Sequence, residues 1–205
     1  MQSKFKWDSS ARIADFNSQC KSIDVHSLVG NAVTIDGTTI AGLPMSWDKT
    51  HYNLLAGYSA SDAEVREYFN NVMNDARYIS DGTEPRKVST AYGGSYLHTS
   101  WNPFTYFESQ LALLDAIPHA DIMLTHYIPL LYDTMPLSYR ESSSSTFYYF
   151  NGIPTLDRLK PKCWVFGHTH VPVFDSYQST RLLCNPIGYP SERVYPRIQT
   201  HILGD

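Results

Sequence analysis

Two short apolar runs, each ending in histidine, constrain this chain more than anything else in its sequence. The first is Leu124-Thr125-His126-Tyr127-Ile128-Pro129, and the second runs from Trp164 through Gly167-His168-Thr169-His170 to Pro172. Apolar runs this short, bounded by turn residues, read as buried strands of an α/β sheet. Open sheets of that class place functional groups at the C-terminal ends of strands, where loops stand on a rigid support. Gly167 leaves room there for a neighbouring ligand. His168 and His170 share a face if the chain is extended and straddle two positions if it turns. Neutral imidazole is a common metal ligand, which makes His126, His168 and His170 candidate ligands. The plainer alternative is a pair of hydrogen-bonded histidines in an ordinary loop.

The remaining pattern supplies what such a sheet needs. Residues 10–22 carry a weak helical periodicity. Two β-branched runs between Ala32 and Gly42 flank Asp36-Gly37, a tight-hairpin dipeptide. Ser61 to Glu64 is a capping box that opens a helix over about 62–77. Residues 80–104 read as a long loop, Phe107 to Ile117 as a helix, and 130–150 as irregular. Ile153 to Leu159 suggests a short helix. Val171–Phe174 and Thr180–Cys184 suggest a final antiparallel pair.

Composition bounds the class. A chain of 205 residues, 42% hydrophobic and 18% charged, is globular, and 1–205 reads as one domain. A net charge of −4 with no Lys/Arg block gives nucleic-acid binding no electrostatic support. The cysteines, Cys20, Cys163 and Cys184, are odd in number and far apart, which argues against a disulfide scaffold and fits a reducing compartment. No stretch has the length and apolarity of a membrane span, so a soluble, cytoplasmic protein is expected.

Thr125-His126 and Gly167-His168-Thr169-His170 resemble the last two metal-binding motifs of the calcineurin-like metallophosphoesterases. Asn185-Pro186-Ile187-Gly188-Tyr189-Pro190 is similar to the Asn-Pro-Gly segment that follows them in that family. The hairpin and its exit, Ala41-Gly42-Leu43-Pro44, resemble the middle of the same fold, and residues 45–105 are the weakest part of the match. The resemblance implies an α/β four-layer sandwich of two mixed β-sheets flanked by helices. It also implies metal-dependent hydrolysis of a phosphoester substrate. Carried over by position, His126 and His168 would bind one divalent metal of a dinuclear pair (Mn, Zn or Fe) and His170 the other. Asn185 and Gly188 would be structural. In the family, a hydroxide held between the metals attacks phosphorus in line.

The family's earlier motifs are Asp-x-His, Gly-Asp with a second Asp, and Gly-Asn-His followed by an acid. They do not precede these here. Gly30-Asn31 runs into Ala32, the one Gly-Asp is Gly204-Asp205, and Asp24-Val25-His26 leads straight into the hairpin and reads as loop. The expectation is therefore an N-terminally truncated domain lacking its first strands. The alternatives are a complementing N-terminal chain, with a homo-oligomer also open, or a degenerate member. Without those strands, a buried strand is expected to become an exposed apolar edge. Two divalent ions about 3.5 Å apart repel by about 20 kcal/mol at an effective dielectric of about 20, which three neutral imidazoles do not offset. Three imidazoles can hold one zinc with an open position. A mononuclear zinc hydrolase and a non-catalytic interaction domain on the same fold are accordingly the alternative functions.

Other residues attract blander readings. Asp48 and His51 read as solvated loop residues, and Asp175 as a turn or surface residue. Tyr92, Tyr96, Trp101, Tyr106 and the Phe147–Phe150 cluster read as core and edge packing, with a substrate lid as the alternative. Arg140, Arg181 and Arg193 read as surface charge rather than phosphate contacts. Neither Cys163 nor Cys184 has a neighbour in sequence that would activate it as a nucleophile.

Overall fold

The Asp36-Gly37 hairpin forms as its dipeptide requires. Asp36 and Gly37 both adopt positive φ (48° and 79°), the backbone of a two-residue turn that matches strand twist. The turn joins β1 (Asn31–Ile35) to β2 (Thr38–Leu43). The computed structural model describes residues 9–79, 86–89, 95–98, 101–130 and 137–192. Within them the chain divides into two compact units, one drawn from residues 1–27 and 59–103, the other from 28–58 and 104–205.

The first unit opens with α1 (Ser9–Ser22), the helix expected from its weak periodicity. Asp24, Val25 and His26 follow it as exposed loop residues. After the second unit's α2 (Thr50–Ala56), the chain returns to the first unit with α3 (Asp62–Val72) and α4 (Asp75–Tyr78). Ser61 Oγ accepts the Glu64 N–H at 3.2 Å, so Ser61 caps the helix where the sequence places its start. The helix expected to run to about 77 breaks at Met73, which is extended, and restarts at Asp75. Buried Val65 and Phe69 lie on its inner side, and Phe69 meets Trp101 at 6.1 Å. The stretch read as loop contains a two-stranded antiparallel ribbon, β3 (Arg86–Ser89) and β4 (Ser95–His98). Each strand is only four residues long, too short for the alternation that marks strands in a sequence.

The second unit is built on one six-stranded mixed sheet. Its further elements are α5 (Pro103–Asp115), β5 (Ile122–Thr125), α6 (Leu137–Arg140), a 3₁₀ turn at Ser143–Tyr148, α7 (Ile153–Leu159), β6 (Cys163–Val165), β7 (Val173–Tyr177) and β8 (Thr180–Cys184). Strand order is β1-β2-β5-β6-β8-β7. The four central strands are mutually parallel, and the edge strands β1 and β7 are antiparallel to their neighbours. Both apolar runs that end in histidine thus lie inside the sheet, with partners on either side. The edges are taken by β1 and β7, both mostly exposed. The structure shows an α/β fold with a six-stranded mixed sheet; the second sheet among the described residues is the β3–β4 ribbon.

The core of this unit is aromatic. Trp47, Phe147, Tyr149, Phe150 and Trp164 are essentially fully buried. Trp47 stands edge-on to Phe104 (5.3 Å) and Phe147 (4.7 Å), geometry favoured by the ring quadrupoles. Phe147, Tyr149 and Phe150 of the 147–150 cluster therefore belong to the core, as the packing reading expected, while Tyr148 is half-buried. His51 corrects the reading of a solvated loop: it lies on α2, fully buried and edge-on to Tyr149 at 4.9 Å. Among the described residues, no helix is long and apolar enough to cross a membrane.

Candidate functional site

Parallel strands bring their C-terminal ends to the same edge, and here those ends are hydrogen-bonded to one another. His126 N–H donates to the Pro44 carbonyl after β2 (3.2 Å). Gly167 N–H donates to the His126 carbonyl (3.1 Å), and Phe166 N–H to the Leu183 carbonyl on β8 (2.9 Å). The result places His126 beside His168, with ring centroids 4.7 Å apart. Gly167 matters for a specific reason. A Cβ on it would lie 3.3 Å from His126 Nδ1, tighter than ordinary contact.

Segment 147–152 backs both histidine loops. Ile128 pairs with Tyr149 in an isolated parallel bridge, through Ile128 N–H to the Tyr148 carbonyl (3.1 Å) and Phe150 N–H to the Ile128 carbonyl (3.0 Å). Gly152 N–H donates to the Pro129 carbonyl at 2.8 Å. Asp48 ties in the loop before α2: its two carboxylate oxygens accept the N–H groups of Thr50 and Asn151, each at 2.8 Å. Beneath His126, Thr125 Oγ1 donates to the Tyr127 carbonyl (2.7 Å) and accepts from Trp164 Nε1 (2.9 Å).

For His168 and His170 the hydrogen-bond partners mark which ring nitrogen carries the proton. His168 sits at positive φ (64°), among the rings of Tyr127 (4.6 Å) and Tyr148 (4.7 Å). Its Nε2 lies 3.1 Å from the Phe147 carbonyl, which can only accept, so Nε2 carries the hydrogen and Nδ1 the lone pair. Burial holds the His168 pKa down to about 4. The charge of His126 and, least, that of His170 act the same way, and the Phe147 hydrogen bond opposes them. His168 is therefore a neutral donor at physiological pH. His170 takes the opposite arrangement: its Nδ1 faces both oxygens of Glu192, at 2.9 and 2.7 Å, leaving Nε2 with the lone pair. Tyr189 stands edge-on to His170 at 4.6 Å.

His126 and His168 are thus brought together, while His170 is hydrogen-bonded to Glu192. Among the described residues, no group of three or more His, Cys, Asp or Glu side chains converges to hold a metal ion. Donor chemistry still fits a borderline divalent ion: His168 and His170 are each hydrogen-bonded on one nitrogen, with the other left as a ligand. It does not by itself balance the charge of two ions. Glu192 escaped the sequence reading because nothing in its own neighbourhood marks it; the pairing with His170 spans 22 positions. Its pKa is lowered by the His170 hydrogen bond first and by the Tyr189 N–H second.

No protein-family model matches this chain, and no curated protein matches it by sequence. A solved structure does share its fold. The crystal structure of phosphopantetheinyl hydrolase (PptH) from Mycobacterium tuberculosis is similar at a TM-score of 0.54 and 16% sequence identity. The similarity covers 93% of this chain and 65% of that one, so this chain spans about two thirds of the length of the protein it matches.

The other candidates fall elsewhere. Arg181 is exposed on β8, paired in register with Cys163, so it lies at the end of the sheet opposite the histidines. Asp175 is exposed on β7. Arg140 belongs to the short helix α6, Trp101 packs on Phe69 in the first unit, and Tyr106 is part-buried on α5, its pKa raised by burial. Tyr92 and Arg193 lie outside the described residues, as does the Tyr96 side chain. All three cysteines are free and buried. Burial raises the Cys163 pKa and pushes Cys184 up to about 11, which removes both as thiolate nucleophiles at neutral pH.

Proposed function

We propose that this chain is a metal-dependent phosphoester hydrolase of the calcineurin-like kind, with His126 and His168 as ligands of one divalent ion and His170 of another. One observation carries the reading: two imidazoles 4.7 Å apart, at the C-terminal ends of adjacent parallel strands. The fold shared with a protein named as a phosphopantetheinyl hydrolase supports the phosphoester class. A bound divalent ion would supply Lewis-acid polarisation of a phosphoryl oxygen and a water of lowered pKa. The chain's own part is to present ligand nitrogens. Phe147 orients His168, and burial keeps that ring neutral. Tyr127 and Tyr148 screen it from water.

On this reading the six-stranded sheet is one of the two mixed sheets of a four-layer sandwich. The carboxylates that balance a dinuclear centre would come from a complementing chain or a second copy. The substrate would be a monoester, a diester, a nucleotide or a phosphoprotein. The test is metal content of the purified chain beside His168→Ala, with hydrolysis of an aryl phosphodiester and an aryl phosphomonoester followed in parallel. Bound metal and turnover, both lost in the variant, are expected. A folded chain with neither metal nor turnover would sink the enzymatic reading and leave the interaction domain. A single metal per chain, lost also in His170→Ala, would favour the mononuclear zinc hydrolase.

A further inference from the structure

We infer that Glu192 is a positioning residue that sets the tautomer of His170. The inference rests on the metal-site reading only for its consequence, not for its geometry. The carboxylate is held in place before it meets the histidine. Tyr189 N–H donates to Glu192 Oε2 at 2.6 Å, and Glu192 N–H donates back to the Tyr189 carbonyl at 2.9 Å. This reciprocal turn follows Gly188, whose φ of 69° is left-handed backbone that glycine adopts without steric cost. It brings the carboxylate to His170 Nδ1, which lies between its two oxygens.

The pair is too exposed, at 36% for His170 and 37% for Glu192, to serve mainly as a stabilising ion pair. Its effect is directional. A carboxylate only accepts, so Nδ1 carries the hydrogen and the Nε2 lone pair faces away from Glu192. A free neutral imidazole favours the other tautomer, with its hydrogen on Nε2. Glu192 therefore reverses an intrinsic preference, and Tyr189, edge-on to the ring, limits its rotation. The Asn185–Pro190 segment thus acquires a role its composition does not advertise: it ends in the turn that delivers this carboxylate. Carboxylate partners of ligand histidines generally raise metal affinity by about 10- to 100-fold.

The experiment uses the whole chain. Long-range ¹H–¹⁵N correlation spectra of the metal-free protein at mildly alkaline pH report each imidazole tautomer, with His170 assigned by its loss in His170→Asn. The His170 signals are expected to show the Nδ1–H form in the wild type. They should shift to the Nε2–H form in Glu192→Ala and be largely restored in Glu192→Gln, whose amide oxygen still accepts. Zn²⁺ titration of the same samples should show affinity weakened by about 10- to 100-fold in Glu192→Ala and less in Glu192→Gln. An unchanged tautomer in Glu192→Ala overturns the inference; a changed tautomer with Zn²⁺ affinity unaltered supports it and refutes its consequence for metal binding. If the wild type takes up no Zn²⁺, the metal reading fails, and the tautomer spectra alone decide the role of Glu192.

Discussion

Acidification from about pH 7.5 to about pH 5 should destabilise the metal-free chain by about 2 kcal/mol through His168 alone. The sign follows from where the proton binds. In the unfolded chain His168 titrates near 6.5, and in the folded chain near 4, because burial and the neighbouring His126 disfavour its charge. Between those values the unfolded state binds the extra proton. Stability from this group is therefore complete above about pH 6.5 and drains away as the pH falls. The full gap is worth about 3 kcal/mol, of which about 2 is lost by pH 5. With a urea m-value of about 2 kcal/mol/M, the midpoint should fall by about 1 M. The comparison is His168→Asn, followed by tryptophan fluorescence in the presence of a chelator. Asparagine tolerates the positive φ of 64° at this position and does not titrate. His51, whose pKa burial also lowers, is common to both proteins and cancels in the difference. The variant should lose about 2 kcal/mol less than the wild type over the same interval. Equal losses in the two proteins would refute the placement of His168 in a dry pocket.

Gly152→Ala should cost about 1–3 kcal/mol in urea unfolding, because a Cβ there would lie 2.6 Å from the Pro129 carbonyl oxygen, a backbone atom with little freedom to move. An unchanged midpoint would mean that segment 147–152 does not clamp the His126 loop as described. Thr125→Val, nearly isosteric, should cost about 1–3 kcal/mol by leaving the buried Trp164 Nε1–H without its acceptor, and should shift the Trp164 emission. A neutral effect on both would show that this hydrogen bond contributes nothing net.

The local elements were legible where local chemistry fixes them. Asp36-Gly37 specifies the hairpin because few residues accept two successive positive φ angles, and Ser61 with Glu64 specifies the start of α3 through its own N–H groups. Helix α2 was legible too, though read as loop: Asp48 accepts the Thr50 N–H at its start, and Gly57, at φ 75°, ends it. The three histidines announced themselves because each follows an apolar run, and position in a parallel sheet is decided by the run before it. Their roles relative to one another were beyond the sequence. The side chain of His168 meets the Phe147 carbonyl 21 positions away, and His170 meets Glu192 22 positions away. No residue within either motif encodes which nitrogen keeps its proton. That choice belongs to acceptors that only the tertiary fold brings within hydrogen-bonding distance, just as only the packing of α2 against the 3₁₀ turn turns His51 from a solvated residue into a buried one.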